Sequence, residues 1–214
     1  MTVKLPRPVP EAADLRPETR LIHSGILRSQ FGENAEALYL TQSFVYDSAE
    51  QCAARFAGED DGFIYSRFSN PTTAMFEERI RAVEGAEACR ATATGMAAVT
   101  ASLLCFLKAG DHVVAARALF GSCRYVIEEL LPRFGVTSTL VEGTDLRAWE
   151  NAIRPETRAF FLESPTNPTL EILDIAAIAK LAKKANAIFV VDNVFATPML
   201  QSPLQLGADV VVYS

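Results

Sequence analysis

Several polar residues follow apolar runs at intervals that could bring them to one place. Glu163 follows Phe160-Phe161-Leu162, with Asn167 just beyond it. Asp192 and Asn193 follow Phe189-Val190-Val191, and Ser214 follows Val210-Val211-Val212-Tyr213. Asp192 comes 29 residues after Glu163, and Ser214 comes 22 after Asp192, spacings that suit one strand-helix-strand unit each. A carboxylate at a strand end can pair with a positive charge, and amide and hydroxyl groups supply hydrogen bonds. Taken alone, Asp192 suits a turn cap equally well. A second stretch, Thr92-Ala93-Thr94-Gly95-Met96-Ala97-Ala98, leads small residues into a helix. Backbone N–H groups at such a helix start can hold an anion, although Gly95 equally suits close packing. A third, Tyr65-Ser66-Arg67 followed by Asn70-Pro71, sets an Arg in loop chemistry fit for phosphate or carboxylate, or for a plain solvated surface. Neither G-x-x-x-x-G-K-[ST] nor G-x-G-x-x-G occurs, which argues against a Walker loop or a nicotinamide fingerprint.

The elements that would position these residues form a rhythm from Asp111 onward. Short apolar strands are expected over 112–115, 136–141, 158–162, 187–191 and 209–213. Helical patterns are expected over 120–134, with Val126, Leu130 and Phe134 on one face, and over 146–153 and 175–185. Alternating strands and helices predict a three-layer α/β fold, a mostly parallel sheet covered by helices on both faces. Ligands of such sheets bind beyond the carboxyl ends of the strands, where the polar residues above fall. Thr72 and Thr73 are expected to cap a helix running through Ala82. A helix over 97–107, apolar nearly all round, is expected to be buried. Residues 1–60 read as an N-terminal arm with short helical patches, and 61–214 as one large α/β domain. Its last strand pattern runs to the end of the sequence, so the expectation is a partial chain.

Composition narrows the function classes. The chain has 214 residues, half of them hydrophobic, enough for a sizeable core. Twenty basic against 26 acidic residues give a net charge of −6, which disfavours nucleic acid and anionic membrane as partners. No apolar run approaches the roughly 18 residues of a membrane span, and Met1–Pro10 lacks the apolar segment of a secretory signal. A cytoplasmic protein is expected. Cys52, Cys89, Cys105 and Cys123 form no C-x-x-C pair and read as buried or incidental thiols; His23 and His112 are far apart, so no metal site is expected.

The ordered set YSRFSNPT, ATATGMAA, ESPTNPTLEILDI, VDNVFATP and GADVVVYS resembles the Cys/Met-metabolism group of pyridoxal-phosphate enzymes from about Thr19 to Ser214. The resemblance implies the large domain of the pyridoxal-phosphate fold type I and pyridoxal 5′-phosphate as cofactor. Tyr65 and Arg67 are implied to reach the cofactor phosphate of a neighbouring subunit, with Gly95 and Met96 as its backbone cradle and Ser214 as a further ligand. Phe120 is implied to stack on the pyridine ring, Asn167 to bond near the cofactor 3-oxygen, and Asp192 to pair with the ring nitrogen. Phe120 and Asp192 are thus the implied catalytic residues. Many relatives have Tyr where Phe120 stands, and Phe cannot move protons. The cofactor-linked lysine of the family is expected a few positions beyond Ser214, and the C-terminal domain beyond that, so the 214-residue chain alone is expected to be inactive.

Within the family, Phe120-Gly121-Ser122-Cys123 and the stretch from Val191 to Pro198 resemble the members that convert O-succinylhomoserine and sulfide into homocysteine and succinate. The alternatives are a cystathionine γ-synthase or a γ-lyase of the same family, or a truncated, non-catalytic binding module. Small-molecule substrates and a homo-oligomer with shared sites, dimer or tetramer, follow from the resemblance.

Overall fold

The computed structural model describes residues 14–214. The expectation for Met1–Pro10 lies outside them. Two compact units form, Met1–Ala91 and Thr92–Ser214. The described part of the expected arm, residues 14–60, lies in the first unit together with the Tyr65–Arg67 loop and a long helix.

That first unit holds α1 (Pro17–His23), α2 (Ala49–Ala57) and α3 (Pro71–Glu84). α3 starts at Asn70 rather than at Thr72 or Thr73. The Asn70 side chain accepts the Thr72 N–H at 2.9 Å, and Pro71 at the first helical position needs no N–H partner. The extended chain before it is tied on by hydrogen bonds, from Tyr39 N–H to Thr72 Oγ1 at 2.8 Å and from Asn70 Nδ2 to Tyr39 O at 2.9 Å. Arg79 on α3 donates to Ser24 O at 3.1 Å and forms an ion pair with Glu36. Phe31, Leu38, Leu40 and Val45 nonetheless remain exposed.

The second unit contains α4 (Gly95–Leu104), β1 (His112–Ala116), α5 (Gly121–Tyr125), β2 (Thr137–Val141), α6 (Leu146–Asn151), β3 (Thr157–Glu163), α7 (Ile175–Lys184), β4 (Ile188–Asp192), the short α8 (Thr197–Leu200) and β5 (Val210–Val212). The five strands are all parallel, in the order β2-β1-β3-β4-β5. Successive β3 residues Phe160 and Phe161 point to opposite faces, and both are buried, so both faces are covered. Trp149 of α6 stacks on Phe160 with ring centroids 5.5 Å apart, and its indole N–H donates to Gly143 O at 2.9 Å. α7 packs beside α6, and α4 beside α5. The strand order reverses between β1 and β3. The chain leaves β1 toward one edge and β3 toward the other, which opens a crevice at their carboxyl ends.

Two helical expectations are corrected. The expected helix over 120–134 is not uniform: α5 passes into a π turn (Val126–Leu130) and a 3₁₀ turn (Leu131–Phe134). Pro132 has no N–H for a regular helix, and Leu131 N–H reaches back five residues to Val126 O. The wider turn shifts the buried face from Val126, Leu130 and Phe134 to Val126, Ile127 and Leu131, leaving Phe134 exposed. α4 buries only Val99 and Leu103 rather than its whole surface. Of the four cysteines, all free thiols, only Cys123 is buried.

His112 opens β1 fully buried. Its ring nitrogens lie 2.9 Å from the Thr157 and Thr139 hydroxyls. Burial, helped by the Arg154 charge, lowers its pKa to about 4 from 6.5. The unfolded chain therefore binds a proton at higher pH than the folded one. His112 should favour the folded state fully above pH 6.5 and progressively less as the pH falls toward 4. In denaturant titrations the stability difference between wild type and His112→Gln should narrow across that window. A constant difference would contradict this.

Candidate active site

Three strand ends and two helix starts converge in the second unit. Glu163 and Asp192 are register partners at the ends of β3 and β4, and Asp192 is also the register partner of Val212, two residues before Ser214. Side chains at paired positions of neighbouring parallel strands share a face, so the two carboxylates emerge together. Both are buried, Glu163 to 1% and Asp192 to 8% exposure.

The first turn of α5 lies against both acids. Phe120, its N-cap, donates its backbone N–H to Glu163 Oε2 at 2.7 Å, and Cys123 Sγ stands 3.8 Å from Asp192 Oδ2. Cys123 Sγ is also 4.0 Å from the Met96 sulfur, which brings the first turn of α4 to the same place. Asp192 Oδ1 accepts the Val194 N–H at 3.1 Å.

α4 is capped by Thr94, whose hydroxyl accepts the Ala97 N–H at 3.0 Å. The N–H groups of Gly95 and Met96 have no partner among the described residues. Gly95 is required by close approach: a Cβ there would come within 2.5 Å of Ser214 Cβ and 2.9 Å of its Cα. The start of α4 and the Ser214 hydroxyl therefore form one donor cluster, suited to an anion.

The carboxylates feel burial first. Burial raises the pKa of Asp192, opposed by the Val194 N–H and the Cys123 thiol. Burial likewise raises that of Glu163, opposed by the Phe120 and Asn167 N–H groups and reinforced by the Asp192 charge. Burial and both acids push the Cys123 thiol up to about 12, so it stays protonated as a donor and is a poor nucleophile. Among the described residues no Lys or Arg contributes to the electrostatics of either acid. A buried carboxylate with no cationic partner among them suits a ligand that brings the positive charge.

The remaining expected residues are placed as follows. Phe120 presents its ring with 43% exposure while its neighbours Leu119 and Cys123 are buried. Asn167 lies half-buried in the loop after β3, which is tied by Thr166 to Glu171 and by Ser164 to Leu173 and Gln201. Asn193, read with the polar edge, is a brace: its amide donates to Gln201 O at 3.0 Å and to the Tyr213 hydroxyl at 2.8 Å. Tyr65 and Arg67 belong to the first unit. There Tyr65 bridges to Ser43, its hydroxyl accepts from Gln42 at 2.7 Å, and the Arg67 guanidinium lies 4.6 Å over the Phe68 ring and 5.5 Å over Tyr65. Arg67 is exposed and joins no ion pair among the described residues. Sequence reasoning missed the roles of Glu163 and Cys123. Glu163 carried a signal, an acid directly after an apolar strand; Cys123 carried none, because only the through-space packing of α5 sets it against Asp192.

The family model for the Cys/Met metabolism PLP-dependent enzyme matches residues 18–214. The chain belongs to that family. It is 52% identical over 213 residues to the O-succinylhomoserine sulfhydrylase of Mycobacterium tuberculosis, covering 100% of this chain and 52% of that protein. It is 46% identical over 197 residues to an L-methionine gamma-lyase of Fusobacterium nucleatum, covering 92% of this chain and 50% of the relative. The Campylobacter jejuni metY protein, solved with N′-pyridoxyl-lysine-5′-monophosphate, superposes with a TM-score of 0.89 at 33% identity, over 94% of this chain and 50% of that one. The chain thus spans about half the length of the curated relatives it matches, and its sheet is that of the fold type I family. Among the described residues there is no candidate metal cluster and no helix long and apolar enough to cross a membrane.

The Cys123 contact gives a direct check on the site's electrostatics. Cys123→Ser, with a stronger donor, should lower the Asp192 pKa, and Cys123→Ala should raise it. A carboxyl-carbon NMR titration reads both. Equal values in the two variants would mean that the thiol does not act on Asp192.

Proposed function

We propose that this chain supplies the cofactor-binding part of a pyridoxal-phosphate enzyme that replaces the γ-substituent of O-succinylhomoserine with sulfide. The observation that carries the reading is Asp192, a buried carboxylate without a cationic partner among the described residues, beside a helix start with spare N–H groups and an exposed aromatic residue. Those features suit the three parts of pyridoxal phosphate: a basic ring nitrogen, a phosphate and a flat ring. The identity to the Mycobacterium tuberculosis sulfhydrylase supports the choice of substrate.

Pyridoxal phosphate supplies an electron sink that makes protons on the substrate carbon chain removable and so permits elimination at Cγ. With the cofactor bound, Asp192 would hold a proton on its ring nitrogen, and the low polarity around the carboxylate would strengthen that pairing. Phe120 would stack on the ring and take no proton. Gly95 and Met96 N–H groups and the Ser214 hydroxyl would hold the phosphate, and Asn167 would orient the ring from the loop after β3. In the net reaction the Cγ–O bond breaks with its electron pair leaving on succinate. The Cγ–S bond forms from hydrosulfide, with no net oxidation.

Tyr65 and Arg67 serve the site of a second copy in this reading, so the working form is a homo-oligomer with shared sites, a dimer or a dimer of dimers. The exposed, ion-pair-free Arg67 and the exposed apolar residues of the first unit support it. A cytoplasmic setting fits such biosynthetic chemistry. The similarity to an L-methionine gamma-lyase keeps γ-elimination as the second reading.

The full-length gene product, given pyridoxal phosphate, O-succinylhomoserine and sulfide, should release homocysteine and succinate. Asp192→Asn should lower the rate by on the order of 100-fold, since a carboxylate partner shifts a base's pKa by about 1–3 units. Release of a 2-oxo acid and ammonia instead would favour the lyase. A protein that takes up no pyridoxal phosphate would end the proposal.

A further inference from the structure

The crevice between β1 and β3 has no strand to close it. Beyond Ala116 and Glu163 the two chains diverge, and ladder bonds no longer join them. One contact crosses the gap, from the Phe120 N–H to Glu163 Oε2 at 2.7 Å. Glu163 is 1% exposed, its Oε1 has only the Asn167 N–H acting on it from outside hydrogen-bond geometry, and no cation among the described residues balances it. A Leu would fill the end of β3 more cheaply, so a carboxylate there calls for an explanation beyond packing. The residue it holds is unusual for the opposite reason. Leu119 and Cys123 are buried in the core, but Phe120 between them is 43% exposed. The direction of its ring is set by its backbone, at φ −52° and ψ 137°, and that backbone is anchored from β3.

We infer that Glu163 is a positioning residue, bridging the switch point to fix the Phe120 backbone and so the ring face that meets the cofactor. This rests on the pyridoxal-phosphate reading above and adds to it a residue that does not itself touch the cofactor. Glu163 works as a hydrogen-bond acceptor, so an amide oxygen can replace it.

The test uses the full-length gene product, with pyridoxal phosphate affinity and the visible circular dichroism of the bound cofactor as readouts. Glu163→Gln should stay near wild type. Glu163→Leu should weaken binding by about tenfold, the effect of losing one buried hydrogen bond, and flatten the dichroism. With Phe120→Ala already present, adding Glu163→Leu should cost little more, because the ring it orients is gone. An unaffected Leu variant, or a Leu effect that persists in full without the ring, overturns the inference while leaving the cofactor reading intact. Wild-type protein that binds no pyridoxal phosphate overturns both. If Glu163→Leu does not fold, the Phe120 amide proton decides: slow exchange in wild type and in Glu163→Gln supports the bond, and loop-like exchange in both overturns it.

Discussion

Two carboxylates buried side by side at the ends of β3 and β4 set the terms for the second unit. Water would solvate such groups far better than a sheet edge does, and burial raises the pKa of each. The cost is offset only in part, by the Phe120, Asn167 and Val194 N–H groups and a weak thiol donor, with no cation among the described residues. The start of α5 is drawn over both acids as a result, and Met96 brings α4 to the same point. Among the described residues nothing balances the charge of the two acids, an environment suited to a ligand that carries positive charge.

The strand order explains why these contacts gather where they do. With β1 and β3 adjacent but their connections running to opposite edges, the carboxyl ends of the middle strands face an open crevice. Phe120 follows β1, Glu163 and Asn167 end or follow β3, Asp192 ends β4 and Ser214 follows β5. Neighbouring strands thus deliver residues nearly 100 positions apart in sequence to one rim. The donor cluster and the exposed aromatic residue divide between helices: the Gly95–Ser214 approach is possible because glycine lacks a Cβ, while Phe120 stands at the α5 start.

Much of this was legible before the coordinates. Unbroken Val and Phe runs marked the strands because a sheet covered on both faces tolerates little else, and Asp192 stood out as an acid ending such a run. What escaped depended on through-space neighbours or on single-residue breaks in a helix. The bond between Glu163 and Phe120 needs the knowledge that β3 lies beside β1 rather than β2. The buried face of the segment after α5 was misjudged because periodicity of 3.6 assumes a regular helix, and the π turn before Pro132 adds a residue. At α3, Pro71 marked the start more truly than the two threonines, since Asn70 before it has the cap oxygen.

The most direct measurement is a crystal structure of the full-length gene product grown with pyridoxal phosphate. The account predicts the phosphate against the Gly95 and Met96 N–H groups and the Ser214 hydroxyl, the ring over Phe120, and the ring nitrogen within hydrogen-bond reach of Asp192. A cofactor seated elsewhere, or one whose ring nitrogen faces away from Asp192, would contradict it.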